Sequence, residues 1–587
     1  MTAQDAAGIY ESSARPQVAL ITNHGYAGAE VPVGGAPDTG GQNMYVNAMA
    51  LALDRLGYRV TIFARGGFPH FDSDRLRRKP EYLSDRVRYV FVPGGGDEFI
   101  RKEDIAVALD EEAEWLDAFI CREAEKKGCP PCEVYEFINT HYWDAAVLGL
   151  RLVARWRDAV AVDWLRQVVH DVVDEAAIAP LEHDRCRRQP GEAAAYHLGA
   201  LLIGEVGPGT SIDRRVAEGL ERWAAAAGID AARRHYILKT VRSALQSVRE
   251  HAAPALEPIA AAEALGEAVL AAMPEHRESL DRMFNAVDRH VWTPHSLGEL
   301  KDENFRDQPV EVRRDLKFCE RRSHERMICN RARLFAATSD EIAQRLRTHY
   351  RVPVERMFYF PPCVDTQEFR PYRDKELIDT YRYLADVSGL DDSTLRDATI
   401  VFETSRMDRT KRKDLLLEAF AKIAGRHPKA LLFIGGGPEN AVFEALRRQL
   451  EATPALAGRA FLTRPIPDEH IGPMFGIADV YASASEMEGF GMSVSQGAAA
   501  GAAVVSSDLI PFSMQYVREE AVIFPAGDAE AMADGIDGVL RDADERRRRG
   551  AALKEKAQAL NWDNKTAEFI DYLRHRGMPV APGSEDP

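Results

Sequence analysis

Long apolar runs are missing from these 587 residues: none approaches the roughly 18 residues that a membrane-spanning helix requires, so no integral membrane segment is expected. Cysteine is sparse. Seven in so long a chain cannot build a disulfide framework, which fits a reducing compartment. The opening MTAQDAAGIYESS lacks the basic and apolar regions of a secretion signal, and a cytoplasmic location is expected. Positive charge is in deficit as well. With 75 Lys and Arg against 92 Asp and Glu, the formal net charge of −17 disfavours general affinity for nucleic acid or anionic lipid. Any anion must therefore be met by a local basic site.

Two further absences narrow the chemistry. The glycine turn FIGGGPEN lacks G-x-G-x-x-G spacing, and no acidic ribose partner follows about 20 residues on, which argues against a dinucleotide-dependent oxidoreductase. Cys129 and Cys132 form CPPC, but no second pair or histidine-rich partner completes a zinc set, so the motif reads as a proline turn.

What is present is a globular composition, 45% hydrophobic and 28% charged, sufficient for two or more domains. The runs QVALIT, RVTIFA, VRYVFVP, EVYEFINTH and RLFAATS read as strands separated by helices, a parallel doubly wound arrangement spanning 15–375. Ala-rich, charged sequence at 158–285 reads as an all-helical insertion, for which a lid or an oligomer contact is the simplest role. A second series, ATIVFETS, KALLFIGGG, RAFLTRP, DVYASAS and AAVVSSD, marks another Rossmann-like α/β domain over 396–560. Residues 561–576 are expected to form a helix that crosses back to the first domain, and 577–587 a disordered tail. Ligands of two such domains belong in the cleft between their strand ends.

Several motifs stand at those strand ends. In EGFGMS, Gly489 and Gly491 allow close backbone approach, and the helix that follows offers free N–H groups to phosphate. Glu488, beside that anion site, suits sugar hydroxyls. SRMDRTKRK places Arg406 and Lys411 five apart after a strand, a density of cations that suggests phosphate binding. In APDTGGQNMY, Gly40 and Gly41 precede a helix beginning near Gln42. His141 and His295 stand at two other strand ends.

Taken in order, PDTGGQ, IRKED, HYWDA, HSLG, PPCVDTQEFRP, SRMDRTK and EGFGMSVSQGAAAG resemble the retaining GT-B glycosyltransferases, most closely those of the sucrose-phosphate synthase type. The resemblance implies a GT-B fold of two Rossmann-like domains. It also implies transfer of a hexose, with glucose from UDP-glucose the leading choice, to a sugar or sugar phosphate. By the resemblance, Arg406 and Lys411 neutralise the departing diphosphate, Glu488 holds donor-sugar hydroxyls, and His295 lies beside the anomeric carbon. Gly40, Gly41, Phe490, Gly491, Met492, Ser493 and Gln496 fall to the donor. Gln42, Lys102, His141, Arg321 and Arg322 fall to the acceptor. No metal and no cofactor are implied, since the two cations do the neutralising and no D-x-D motif demands one.

The chain departs from the family in three places. Gln496 stands where a second acid belongs and typically binds ribose; its amide still accepts from a hydroxyl, so altered donor affinity is expected rather than loss of activity. SSDLIPF lacks the usual Gly-Gly, and Asn139 replaces a histidine. These departures favour an alternative, a catalytically weak glycosyltransferase-like protein whose insertion serves binding or regulation.

Overall fold

The computed structural model describes residues 3–31, 36–169, 198–199, 202, 212–226, 229–251, 257–272, 274–437 and 439–586. Eight strands form a first sheet: β1 (Gln17–Thr22), β2 (Arg59–Gly66), β3 (Glu81–Ser84), β4 (Val87–Pro93), β5 (Ile138–His141), β6 (His290–Thr293), β7 (Leu334–Ala337) and β8 (Met357–Tyr359). Their order is β3-β4-β2-β1-β5-β6-β7-β8, and only the edge strand β3 is antiparallel. A second, wholly parallel sheet has the order β11-β10-β9-β12-β13-β14. Its strands are β9 (Thr399–Thr404), β10 (Ala430–Gly435), β11 (Ala460–Leu462), β12 (Val480–Ser483), β13 (Ala503–Ser507) and β14 (Val522–Phe524).

Continuous apolar runs such as QVALIT are buried along their whole length, as strands covered by helices on both faces must be. Each sheet accordingly separates two apolar clusters, one per face. Four strands of three or four residues, β3, β6, β8 and β14, lie outside the apolar runs read as strands, although β5, β7, β11 and β12 are equally short.

Between β5 and β6 the described residues form helices alone: Tyr142–Val169, Ile212–Ala226, Ala231–His251, Glu257–Ala272 and Pro274–Val287. They share a small core of their own around Leu220, Val241, Leu265 and Leu280. Residues 170–197 of the insertion lie outside the described residues. One helix, Tyr142–Val169, starts at the end of β5 and ends within this bundle.

The last helix, Trp562–His575, buries Trp562, Phe569, Ile570 and Leu573 against the first sheet beside the helix Gly41–Arg55. The segment after Gly577, expected from its polar, proline-containing sequence to be disordered, is instead packed. Met578 and Val580 are 2% and 6% exposed, Tyr58 donates to the Ala581 carbonyl at 2.7 Å, and Asp586 pairs with Arg86 at 2.6 Å. Two apolar side chains two residues apart anchor an otherwise polar strand, a signal too short to read from composition. Removing 578–587 should lower Tm by about 5 °C, the cost of two buried side chains and their ties in a large chain. A scanning-calorimetry Tm equal to that of the full chain would show that the packed tail contributes nothing.

Candidate functional site

The site grows from the carboxyl ends of adjacent parallel strands. In the first sheet β1, β5 and β6 lie side by side with Thr22, His141 and Thr293 in register, so the loops that follow converge. His141 Nδ1 lies 3.0 Å from His295 Nε2, and the Tyr45 ring meets His295 edge-on at 4.8 Å. Burial pushes His141 down to about 3; burial, then the neighbouring His141 and His24, hold His295 well below the usual range. Both rings are therefore neutral at physiological pH, and His295 can offer a hydrogen bond but no charge. After His141 the chain turns sharply through Tyr142, a non-glycine residue at φ 79°, into a helix whose first turn carries Asp144. That carboxylate holds His24 Nδ1 at 3.0 Å.

The helix Gly41–Arg55 points its free N–H groups at the cleft. Gln42 donates to Thr22 Oγ1 at 3.1 Å, fixing this helix start to the end of β1. A side chain added at Gly41 would meet the Met492 sulfur, at 4.0 Å, and Met492 opens the helix Met492–Ala500 of the second domain. The starts of two helices, one from each domain, therefore lie close together at the cleft, and an anion there would find N–H groups of both.

On the second domain, the loop after β9 carries the cations and the loop after β12 the acid. Glu486 N donates to the Thr410 carbonyl at 2.8 Å, which ties the two loops together. Lys411 Nζ meets Glu488 Oε1 at 2.6 Å, with side chains only 7% and 14% exposed. Arg406 is different: 64% exposed and no closer than 3.5 Å to Asp408, it leaves most of its guanidinium for a ligand. Gly491 has φ 101° and nearly touches Ile510, so it must remain glycine for the turn to close. Phe490 stands beneath this turn with its ring packed on Phe512 and Tyr516, and only its backbone remains for a ligand. Ser493 hydrogen-bonds Tyr481, and Gln496 is half-buried one helical turn beyond Met492.

A cavity of about 110 Å³ opens in the first domain between Tyr142, Phe305 and Phe318, with Lys102, Lys301, Lys317 and Arg321 around it. Most of these cations are already engaged. Lys102 bonds Asp38, whose own carboxyl this lysine holds below the usual range in spite of burial. Lys317 pairs with Asp104 at 2.8 Å. Arg321 is clamped by Glu325 at 2.8 Å, by the Ser296 carbonyl at 2.6 Å and by Tyr142. Arg322, its neighbour in sequence, turns to Asp302 at 3.3 Å and does not line the cavity. Lys301 is the residue that sequence reasoning missed. Crowding away from bulk water, then Arg321, Lys102 and Arg406, hold its ammonium below the usual lysine range, and all three of those neighbours are cations. The signal was its place three residues beyond Gly298 of HSLG, on a helix that starts at the cleft.

Residues 392–556 match the family described as glycosyl transferases group 1, and residues 277–368 match glycosyltransferase family 4. The chain carries a group 1 glycosyltransferase domain. Among curated relatives, the chain is 23% identical over 507 residues to mannosylfructose-phosphate synthase of Agrobacterium fabrum, covering 84% of this chain and 77% of that one. It is 23% identical over 299 residues, 50% of this chain and 67% of the other, to a D-inositol 3-phosphate glycosyltransferase of Corynebacterium urealyticum. Its fold is GT-B. Sucrose-phosphate synthase from Thermosynechococcus elongatus superposes with TM-score 0.56 at 19% identity, over 96% of this chain and 99% of that one. An α,α-trehalose-phosphate synthase from Burkholderia xenovorans superposes with TM-score 0.50 at 11% identity, over 95% and 100%. Among the described residues no helix is long and apolar enough to cross a membrane.

Proposed function

We propose that this glycosyltransferase moves a hexose from a nucleotide diphosphate sugar to a small sugar phosphate with retention of anomeric configuration. The observation that carries the reading is the closeness of two helix starts, at Gly41 and Met492, with Lys411, Glu488 and Arg406 on one side and His295 on the other. A diphosphate between the helix starts brings the sugar to Glu488 and the anomeric carbon toward His295. The name of the Agrobacterium relative, a synthase of a sugar phosphate, supports a phosphorylated acceptor, and the cations around the first-domain cavity suit one.

Breaking the bond between the anomeric carbon and the diphosphate builds negative charge on the leaving oxygen and positive charge on the sugar. Lys411 and Arg406 stabilise the first, and a cation held in a dry site acts far more strongly than one in water. The acceptor hydroxyl attacks from the face the diphosphate leaves and gives its proton to the departing phosphate oxygen. Neutral His295 supplies a hydrogen bond to the transferred sugar. Charge neutralisation by side chains makes a metal ion unnecessary, and transfer should continue in excess chelator.

Glucose as UDP-glucose is the first donor to try. Gln496, at the ribose end of the grip, should leave turnover intact, and Gln496→Glu should lower donor KM by about threefold through a charge-assisted bond to ribose. Proton NMR of the product tests the mechanism: an anomeric centre matching the donor supports the reading, and an inverted one contradicts it. One feature favours the second reading, a weak enzyme regulated through its insertion. The helix Tyr142–Val169 joins the site to that bundle, so a change there would reach Tyr142 and Asp144 directly.

A further inference from the structure

We infer that a buried ion pair, Lys413 with Glu403, is the positioning device that sets the diphosphate-binding loop, which rests on the reading given under Proposed function. The two side chains are 1% and 3% exposed, and the Lys413 ammonium meets Glu403 Oε2 at 2.7 Å. Its other two donors are used as well, on the Ser405 carbonyl at 3.0 Å and the Gly435 carbonyl at 2.7 Å. An ammonium has three donors, and all three are satisfied inside the protein.

The location argues against a packing role alone. Lys413 is the first residue of the helix Lys413–Ile423, where the helix dipole disfavours a positive charge, and burial disfavours it again. An apolar residue would fill the space without either cost. What it could not do is tie both ends of the loop that carries Arg406 and Lys411 to the end of β10. Ser405 precedes Arg406; Lys413 stands two residues after Lys411; Gly435 ends β10 and begins the glycine turn 435–437. Gly435 also lies against Thr404, so the ends of β9 and β10 are in contact where the ammonium bridges them. Between Ser405 and Lys413 the loop turns through Arg412 at φ 47°, a strained start for a helix that the anchored Lys413 side chain can hold. Glu403 further accepts from Ser405 Oγ, closing the network on the strand side. Lys413 and Glu403 touch no substrate in this account; they act through Arg406 and Lys411.

The test compares Lys413→Met and Glu403→Gln with the unmodified chain, reading Tm, kcat, and KM for donor and acceptor separately. Lys413→Met should lower kcat about tenfold and raise donor KM severalfold while acceptor KM stays within about twofold, because the misplaced cations hold the donor and answer the charge that develops on its leaving group. Glu403→Gln, whose amide oxygen can still accept from the ammonium, should show a smaller change in the same direction. A folded Lys413→Met with unchanged donor KM and kcat overturns the inference, as does an equal loss for both substrates. If Lys413→Met does not fold, Glu403→Gln decides by the same donor-to-acceptor split. Should the unmodified chain transfer no sugar, the reading of its function fails, and hydrogen exchange then decides the strut separately. Faster exchange of amides 405–412 in Glu403→Gln, with β9 and β10 equally protected, supports it; identical exchange overturns it.

Discussion

Lys411→Ala should lower kcat/KM by about a thousandfold, a loss of about 4 kcal/mol in transition-state stabilisation. Burial sets the size of this effect. Lys411 is 7% exposed and 2.6 Å from Glu488, so its charge acts on a leaving diphosphate largely through protein rather than bulk water, at reduced effective dielectric. Removing it also leaves the Glu488 carboxylate without its cation, at a position where it then repels the diphosphate it formerly accommodated. Most of the loss should appear in kcat, since the charge it answers develops as the bond breaks. Lys411→Arg keeps the charge but not the compact ammonium geometry, and a partial recovery would separate charge from shape. Steady-state kinetics with the preferred donor, beside a melting curve showing the variant folded, checks the expectation.

Lys301→Ala should raise KM for a phosphorylated acceptor by about thirtyfold and leave an unphosphorylated sugar unaffected, the size of one charge-assisted hydrogen bond in a confined site. Of the cations at the first-domain cavity, Lys102, Lys317 and Arg321 already hold carboxylate or carbonyl partners. Crowding away from bulk water, then the charges of Arg321, Lys102 and Arg406, hold Lys301 below its ordinary range. A phosphate dianion offsets that repulsion. The comparison of sugar with sugar phosphate on one variant isolates the term: equal loss for both acceptors would point to a general disturbance of the cleft.

The two cases also show what a sequence can reveal. Lys411 and Glu488 were legible because each lies in the loop that follows a strand and is flanked by glycine or further charge, so its place at a cleft can be read from pattern alone. Lys301 was not, since a lysine in GELKDEN looks like any solvated helical residue until the fold turns it toward three other cations. Arg321 and Arg322 read as equivalent, yet successive helical residues point about 100° apart, and one is clamped inside while the other reaches Asp302. The Lys413–Glu403 pair joins residues ten apart through a strand end, a loop and a helix start, a contact no local period encodes. The tail failed for a related reason: Met578 and Val580 find their groove only against Tyr58 and the last helix.

The most direct test is release of nucleoside diphosphate from UDP-, GDP- and ADP-sugars, with fructose 6-phosphate, glucose phosphates, fructose and glycerate as acceptors, in the unmodified chain and in Lys411→Ala and Glu488→Ala. The account predicts turnover with at least one nucleotide sugar and a phosphorylated acceptor, abolished in both variants. Absence of turnover with every pair, together with no shift of Tm by any nucleotide sugar, would contradict it.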